Sequence, residues 1–133
     1  MTRINVVPVE ELSDQHLLAE YRELPRVIKQ NIDISDAPEK YCLGVGHMKW
    51  GRKHWAYCFL RFNELVREMQ YRGFKTTYTV LPDGEIDTNT YGYYVVGPED
   101  IKLNIARLIE KYKNKPNWYR WTKREKPKYM EAQ

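Results

Sequence analysis

A chain of 133 residues, 42% hydrophobic and 30% charged, is long enough to bury about two thirds of its unfolded surface around one core, so residues 1–133 are read as a single domain. No apolar run approaches the roughly 20 residues that cross a bilayer, and no apolar stretch follows the first residues, so neither a membrane span nor a signal peptide is expected and the protein is placed in the cytoplasm. The net charge of +4 hides an asymmetry: residues 111–128 carry eight Lys or Arg against one acid, whereas residues 1–110 carry a small acidic excess.

The first predicted element is a helix that starts near Ser13, a suitable N-cap, and puts Leu17, Leu18, Tyr21, Leu24 and Ile28 on one side. Gln15, Ala19, Arg22 and Arg26 lie opposite, with His16 and Glu23 on the flank. Pro25 falls inside this pattern, so it either kinks the helix or opens a second segment. Residues 29–41 read as a loop or a frayed helix end. Gly44-Val45-Gly46-His47 has neither nucleotide-fingerprint spacing and is read as a tight turn into the core helix; Lys49, Trp50, Arg52, Lys53 and His54 follow as a basic and aromatic cluster able to touch a DNA backbone.

The core helix is the clearest element. Trp55, Cys58, Phe59, Phe62, Leu65, Val66 and Met69 recur on one stripe, and Gly73 stops the helix after Arg72. Residues 75–96, rich in Thr and Tyr around Leu81-Pro82-Asp83-Gly84, suit an ordered loop or a small hairpin. A third helix is announced by Gly97-Pro98-Glu99-Asp100, with proline in the first turn and acids at the positive end of the dipole. Ile101, Ile105, Leu108, Ile109 and Tyr112 form its apolar stripe, and Asn104, Arg107 and Lys111 a polar one. From Lys113 onward, with Pro116 and Pro127, the chain is expected to be irregular. The fold class is therefore all-α: three main helices, irregular connections and a basic, aromatic C-terminal tail. Cys42 and Cys58 have no metal-ligand spacing and no second pair, and are read as reduced, buried thiols.

Two features bear on chemistry. Tyr112, Trp118, Tyr119 and Trp121 are interleaved with the basic residues of the tail, a combination suited to a polyanion with flat bases. At the other end, an initiator methionine is generally removed before a small residue, so Thr2 would offer an α-amine with an ordinary pKa of about 7.7 to 8.0, partly neutral at working pH. Such an amine can attack an anomeric carbon and form an imine. Glu23, between Arg22 and Arg26, is either a structural ion pair or a proton carrier beside an oxocarbenium-like sugar. Arg3, Arg22 and Arg26 suit phosphates. His16 has three open roles: phosphate binding, proton transfer, or capping the edge of the core.

Three blocks, residues 1–27, Leu43 to Phe74, and Ala106 to Tyr119, resemble the phage UV-repair endonuclease V family of pyrimidine-dimer DNA glycosylases with apurinic/apyrimidinic (AP) lyase activity. The resemblance implies a single all-α domain in which the α-amine of Thr2 attacks C1′ at the 5′ nucleotide of a cyclobutane pyrimidine dimer. An imine forms, and β-elimination then cuts the strand on the 3′ side. It implies Thr2 and Glu23 as catalytic residues, and Arg3, Gln15, His16, Arg22, Arg26, Arg107 and Lys111 as DNA contacts. A base is extruded from the kinked duplex. Neither cofactor nor metal is implied, and the expected partner of the monomer is duplex DNA carrying UV lesions. The chain departs from the family pattern after Val27, where Asp33, Asp36 and Glu39 replace a basic stretch, and in its tail, Arg120-Trp121-Thr122-Lys123. Two other activities fit the residues: a noncatalytic binder of damaged or kinked DNA, and an AP lyase without dimer glycosylase activity.

Overall fold

Ser13 starts the first helix as its side chain predicts: its Oγ accepts the His16 N–H at 3.1 Å, satisfying one of the donors a helix start leaves orphaned. A computed structural model describes residues 4–29, 32–81 and 92–131 of the chain. Within them lie a 3₁₀ turn at Val9–Glu11 and five helices: α1 (Asp14–Lys29), α2 (His47–Lys53), α3 (Trp55–Arg72), α4 (Pro98–Asn114) and α5 (Lys128–Glu131). No strand occurs among the described residues, so the fold is all-α. The middle of the hairpin considered for residues 75–96, residues 82–91, lies outside the described residues; the flanks show no strand.

The three long helices correspond to the three amphipathic patterns. α1 runs through Pro25 as one helix and buries Leu17, Tyr21, Leu24, Val27 and Ile28. α3 presents Cys58, Phe62, Leu65, Val66 and Met69 to the same core and ends at Gly73, whose φ of 90° is the left-handed conformation that favours glycine. Each such side chain contributes on the order of 1.5 to 3 kcal/mol on burial. α4 begins where Gly97 donates its N–H to Asp100 Oδ2 at 2.9 Å.

The segment between Cys42 and His54 differs from its expectation. Residues 44–47 do make the tight turn, with His47 N–H donating to the Gly44 carbonyl at 3.1 Å, but it opens a separate short helix, α2, rather than leading directly into α3, and α2 packs on both α1 and α3. Trp50 is fully buried within a cage of Tyr41, His47, His54, Tyr57 and Tyr94. Arg52 and His54 are buried too, while Lys49 pairs with Asp36 at 2.8 Å and Lys53 with Glu39. Within this cluster Trp50, Arg52 and His54 thus belong to the core, and Lys49 and Lys53 pair with the acidic loop. Cys58 is buried and Cys42 only partly; both are free thiols.

The tail is irregular until α5, yet it is pinned. The Arg120 carbonyl accepts the Asp14 N–H at 2.7 Å. Asp14 Oδ1 in turn accepts from Thr122 N–H and from Arg72. Glu68 joins the network by accepting from Arg72 and Arg124, and Trp121 donates its indole N–H to the Glu11 carbonyl. These bonds clamp the tail across the start of α1.

Candidate active site and nucleic-acid interface

Clamping the tail shapes a pocket. Gln15, His16 and Ala19 of α1, Arg107, Leu108 and Lys111 of α4, and Trp118 and Tyr119 of the tail enclose about 230 Å³. Gln15 holds the tail at both ends of its amide: Nε2 donates to the Trp118 carbonyl at 2.8 Å and Oε1 accepts the Arg120 N–H at 3.1 Å. Tyr119 stacks on His16 with ring centres 4.7 Å apart and planes 9° from parallel. Ser13 Oγ lies 2.9 Å from His16 Nδ1. Burial, and after it the charge of Lys111, pushes the His16 pKa down to about 4, so this imidazole is neutral at physiological pH. The pocket therefore combines a neutral ring wall with the cations Arg107 and Lys111, the former paired at 3.6 Å with Glu110.

Farther along α1, Ala19, Arg22, Glu23 and Arg26 continue the same outward face at helical spacing. Arg22 is exposed; the Arg26 side chain is 72% exposed and donates to Glu23 Oε1 at 3.1 Å. Glu23 is 15% exposed, so its carboxylate lies at the surface edge, paired with Arg26. Thr2 and Arg3 lie outside the described residues.

The segment before α1 is anchored by side chains from distant parts of the chain. Residues 4–7 form no helix or strand, and side chains of other elements take up their polar groups. Ile4 N–H donates to His47 Nε2 at 3.1 Å, and its carbonyl accepts from Tyr41 OH at 2.7 Å. The Val6 and Val7 N–H groups both donate to Asn104 Oδ1, at 2.7 and 3.1 Å, and the Val7 carbonyl accepts from Arg61 at 2.6 Å. Asn5 donates to Glu20, which is fully buried and paired with Arg61 at 2.8 Å. Ile4 itself packs into a floor made by Gly51 and Val27: a Cβ on Gly51 would stand 2.3 Å from Ile4 Cδ1 and 3.0 Å from Val27 Cγ1. Val27 is one helical turn after Glu23.

Of the residues expected at the site, Gln15, His16, Arg107 and Lys111 gather around the pocket, and Arg22, Glu23 and Arg26 line the adjoining face of α1. Asn104 does not join them. It shares a sequence stripe with Arg107 and Lys111 but is fully buried, holding residues 5–7, so only the second and third members of that stripe line the pocket. The anchors Tyr41, His47 and Asn104 escaped the sequence reading. The available signal was indirect: an apolar, strand-like run Ile4 to Val9 in an all-helical chain needs partners for its backbone. Among the described residues no group of three or more His, Cys, Asp or Glu is placed to hold a metal ion.

Residues 1–81 match the family model described as pyrimidine dimer DNA glycosylase. The match spans the amino-terminal segment and α1 to α3, which carry Glu23 and the anchors Tyr41 and His47.

Proposed function

The chain belongs to the pyrimidine dimer DNA glycosylase family, and from that premise we propose that it cleaves the glycosidic bond of a dimer through the α-amine of Thr2 and then cuts the strand as an AP lyase. The observation that carries the reading is the anchored start of the chain. Ile4 is held against Val27, one turn from Glu23, and two residues span at most about 7 Å. An amine two residues before Ile4 can therefore reach the stretch of α1 that carries Arg22, Glu23 and Arg26.

The amine attacks C1′ of the 5′ nucleotide, the glycosidic bond breaks with its electron pair going to the pyrimidine, and loss of a proton from nitrogen with ring opening gives the imine. Glu23 stabilises the oxocarbenium-like sugar and carries protons at that centre. β-Elimination removes the C2′ proton and releases the 3′ phosphate. Arg3, Arg22 and Arg26 hold the phosphates beside the lesion, and Gln15, His16, Arg107 and Lys111 extend the footprint across the pocket. A neutral His16 there offers hydrogen bonding and a stacking surface without charge. The protein acts as a monomer on duplex DNA, extruding a base.

Inserting a glycine between Met1 and Thr2 tests this reading. A free amine survives processing but moves by up to about 3.5 Å, and misplacement by about 1 Å can already cost 100-fold. Cleavage of dimer-containing duplex is expected to fall by at least about 100-fold while the gel shift persists. A noncatalytic binder, or an enzyme using a lysine, is indifferent to the insertion, and unchanged cleavage by the extended protein overturns the role of Thr2.

A further inference from the structure

The grip on the start of the chain reaches closest to the terminus at Ile4. Residues 5–7 are already fixed in the core through Asn104, Glu20 and Arg61, and Ile4 is fully buried. Yet two further side chains close on the peptide groups of Ile4 itself, the described residue nearest the terminus. His47 accepts the Ile4 N–H through Nε2 at 3.1 Å, and its Nδ1 lies 2.7 Å from the Cys42 carbonyl. A carbonyl can only accept and an amide N–H can only donate, so these partners select the neutral tautomer with its proton on Nδ1. From the other side Tyr41 OH donates to the Ile4 carbonyl at 2.7 Å. The Tyr41 ring is wedged edge-on between His47, 5.8 Å away, and Trp50, 5.0 Å away. Neither clamp can rotate without disturbing the Trp50 cage.

Chain termini ordinarily fray, whereas a nucleophile must sit about 3 to 3.5 Å from the carbon it attacks. Only Arg3 separates Ile4 from the proposed nucleophile, so any displacement at Ile4 is passed on to the amine. Resting on the terminal-amine reading above, we propose that Tyr41 and His47 are positioning residues: they clamp the Ile4 backbone from its carbonyl and amide sides and thereby set the place from which the Thr2 amine attacks.

Tyr41→Phe removes one hydroxyl and keeps the ring. His47→Gln keeps an acceptor near the Ile4 N–H but changes its reach. The measurement is the single-turnover rate of borohydride-trapped adduct on duplex containing an abasic site, alongside affinity for that duplex and thermal unfolding. Both variants are expected to trap about 10- to 100-fold more slowly with affinity unchanged within about twofold. Each is then combined with the glycine insertion before Thr2. Once the amine is already displaced, the clamp has nothing left to position, so the variants should alter the residual rate less than about twofold; a merely structural role would lower the rate by the same factor in both backgrounds. Wild-type trapping by Tyr41→Phe and His47→Gln, equal loss in both backgrounds, or parallel loss of binding overturns the proposal. If the insertion alone leaves trapping at full rate, the terminal-amine reading falls and the proposal with it. If the insertion silences trapping while both variants trap normally, only the positioning role falls.

Discussion

Replacing His16 with phenylalanine keeps a ring stacked on Tyr119 and removes a titrating group from the wall of the pocket. The imidazole has an ordinary value of 6.5 in the unfolded chain and about 4 in the folded protein. The unfolded chain therefore binds the proton more tightly, and folding stability falls as pH drops through that window, by about 1.4 kcal/mol per unit. Below about 4 the loss is complete and the contribution is flat. Between pH 7 and pH 4.5 the wild type should lose about 2 kcal/mol more than His16→Phe, a sizeable part of a total of roughly 5 to 15 kcal/mol. Urea unfolding of both proteins at the two pH values measures the difference, and carboxylates that titrate in both cancel. Parallel pH profiles, or a His16 ring titrating near 6.5 by NMR, would show that burial behind Tyr119 and the charge of Lys111 do not hold it neutral.

Glu23→Gln preserves size and should leave binding of damaged duplex intact while lowering strand cleavage by about 10²- to 10⁴-fold; equal loss of gel shift and cleavage would make Glu23 a structural partner of Arg26. Lys111→Ala and Arg22→Ala should each make the log-log salt dependence of DNA binding shallower by about 0.9. His16→Phe, measured at pH 7.5, should leave that slope unchanged, and a changed slope would mean that His16 binds phosphate as a cation.

The three long helices could be read from the sequence because their apolar stripes are the surfaces they bury, and their ends are set by local chemistry: the Ser13 cap, the left-handed Gly73 and the Gly97–Asp100 bond. Family membership was legible as well, from a highly specific first block of residues. The rest was decided by tertiary partners. Asn104 looked like a solvent-facing neighbour of Arg107, but an unpaired backbone run at residues 5–7 claimed it. The pairing of Lys49 and Lys53 with Asp36 and Glu39 of the acidic loop was likewise not legible. Periodicity could not find α2 because it is only 7 residues long and its Trp50 is buried by an aromatic cage that draws Tyr41 and Tyr94 from distant segments. The composition of the tail pointed to nucleic acid, but not to its clamp on Asp14, Gln15 and Glu68, which makes Trp118 and Tyr119 a wall of the pocket.

The central claim, that the chain's own terminus is the nucleophile, is tested most directly by the identity of the trapped atom. With dimer-containing duplex and borohydride present during turnover, the imine is reduced to a stable amine, and digestion followed by mass spectrometry locates the added sugar. The account predicts a single adduct on the amino-terminal peptide, on the nitrogen of Thr2 with Met1 removed. An adduct on a lysine side chain, or full strand cleavage with no adduct, would contradict it.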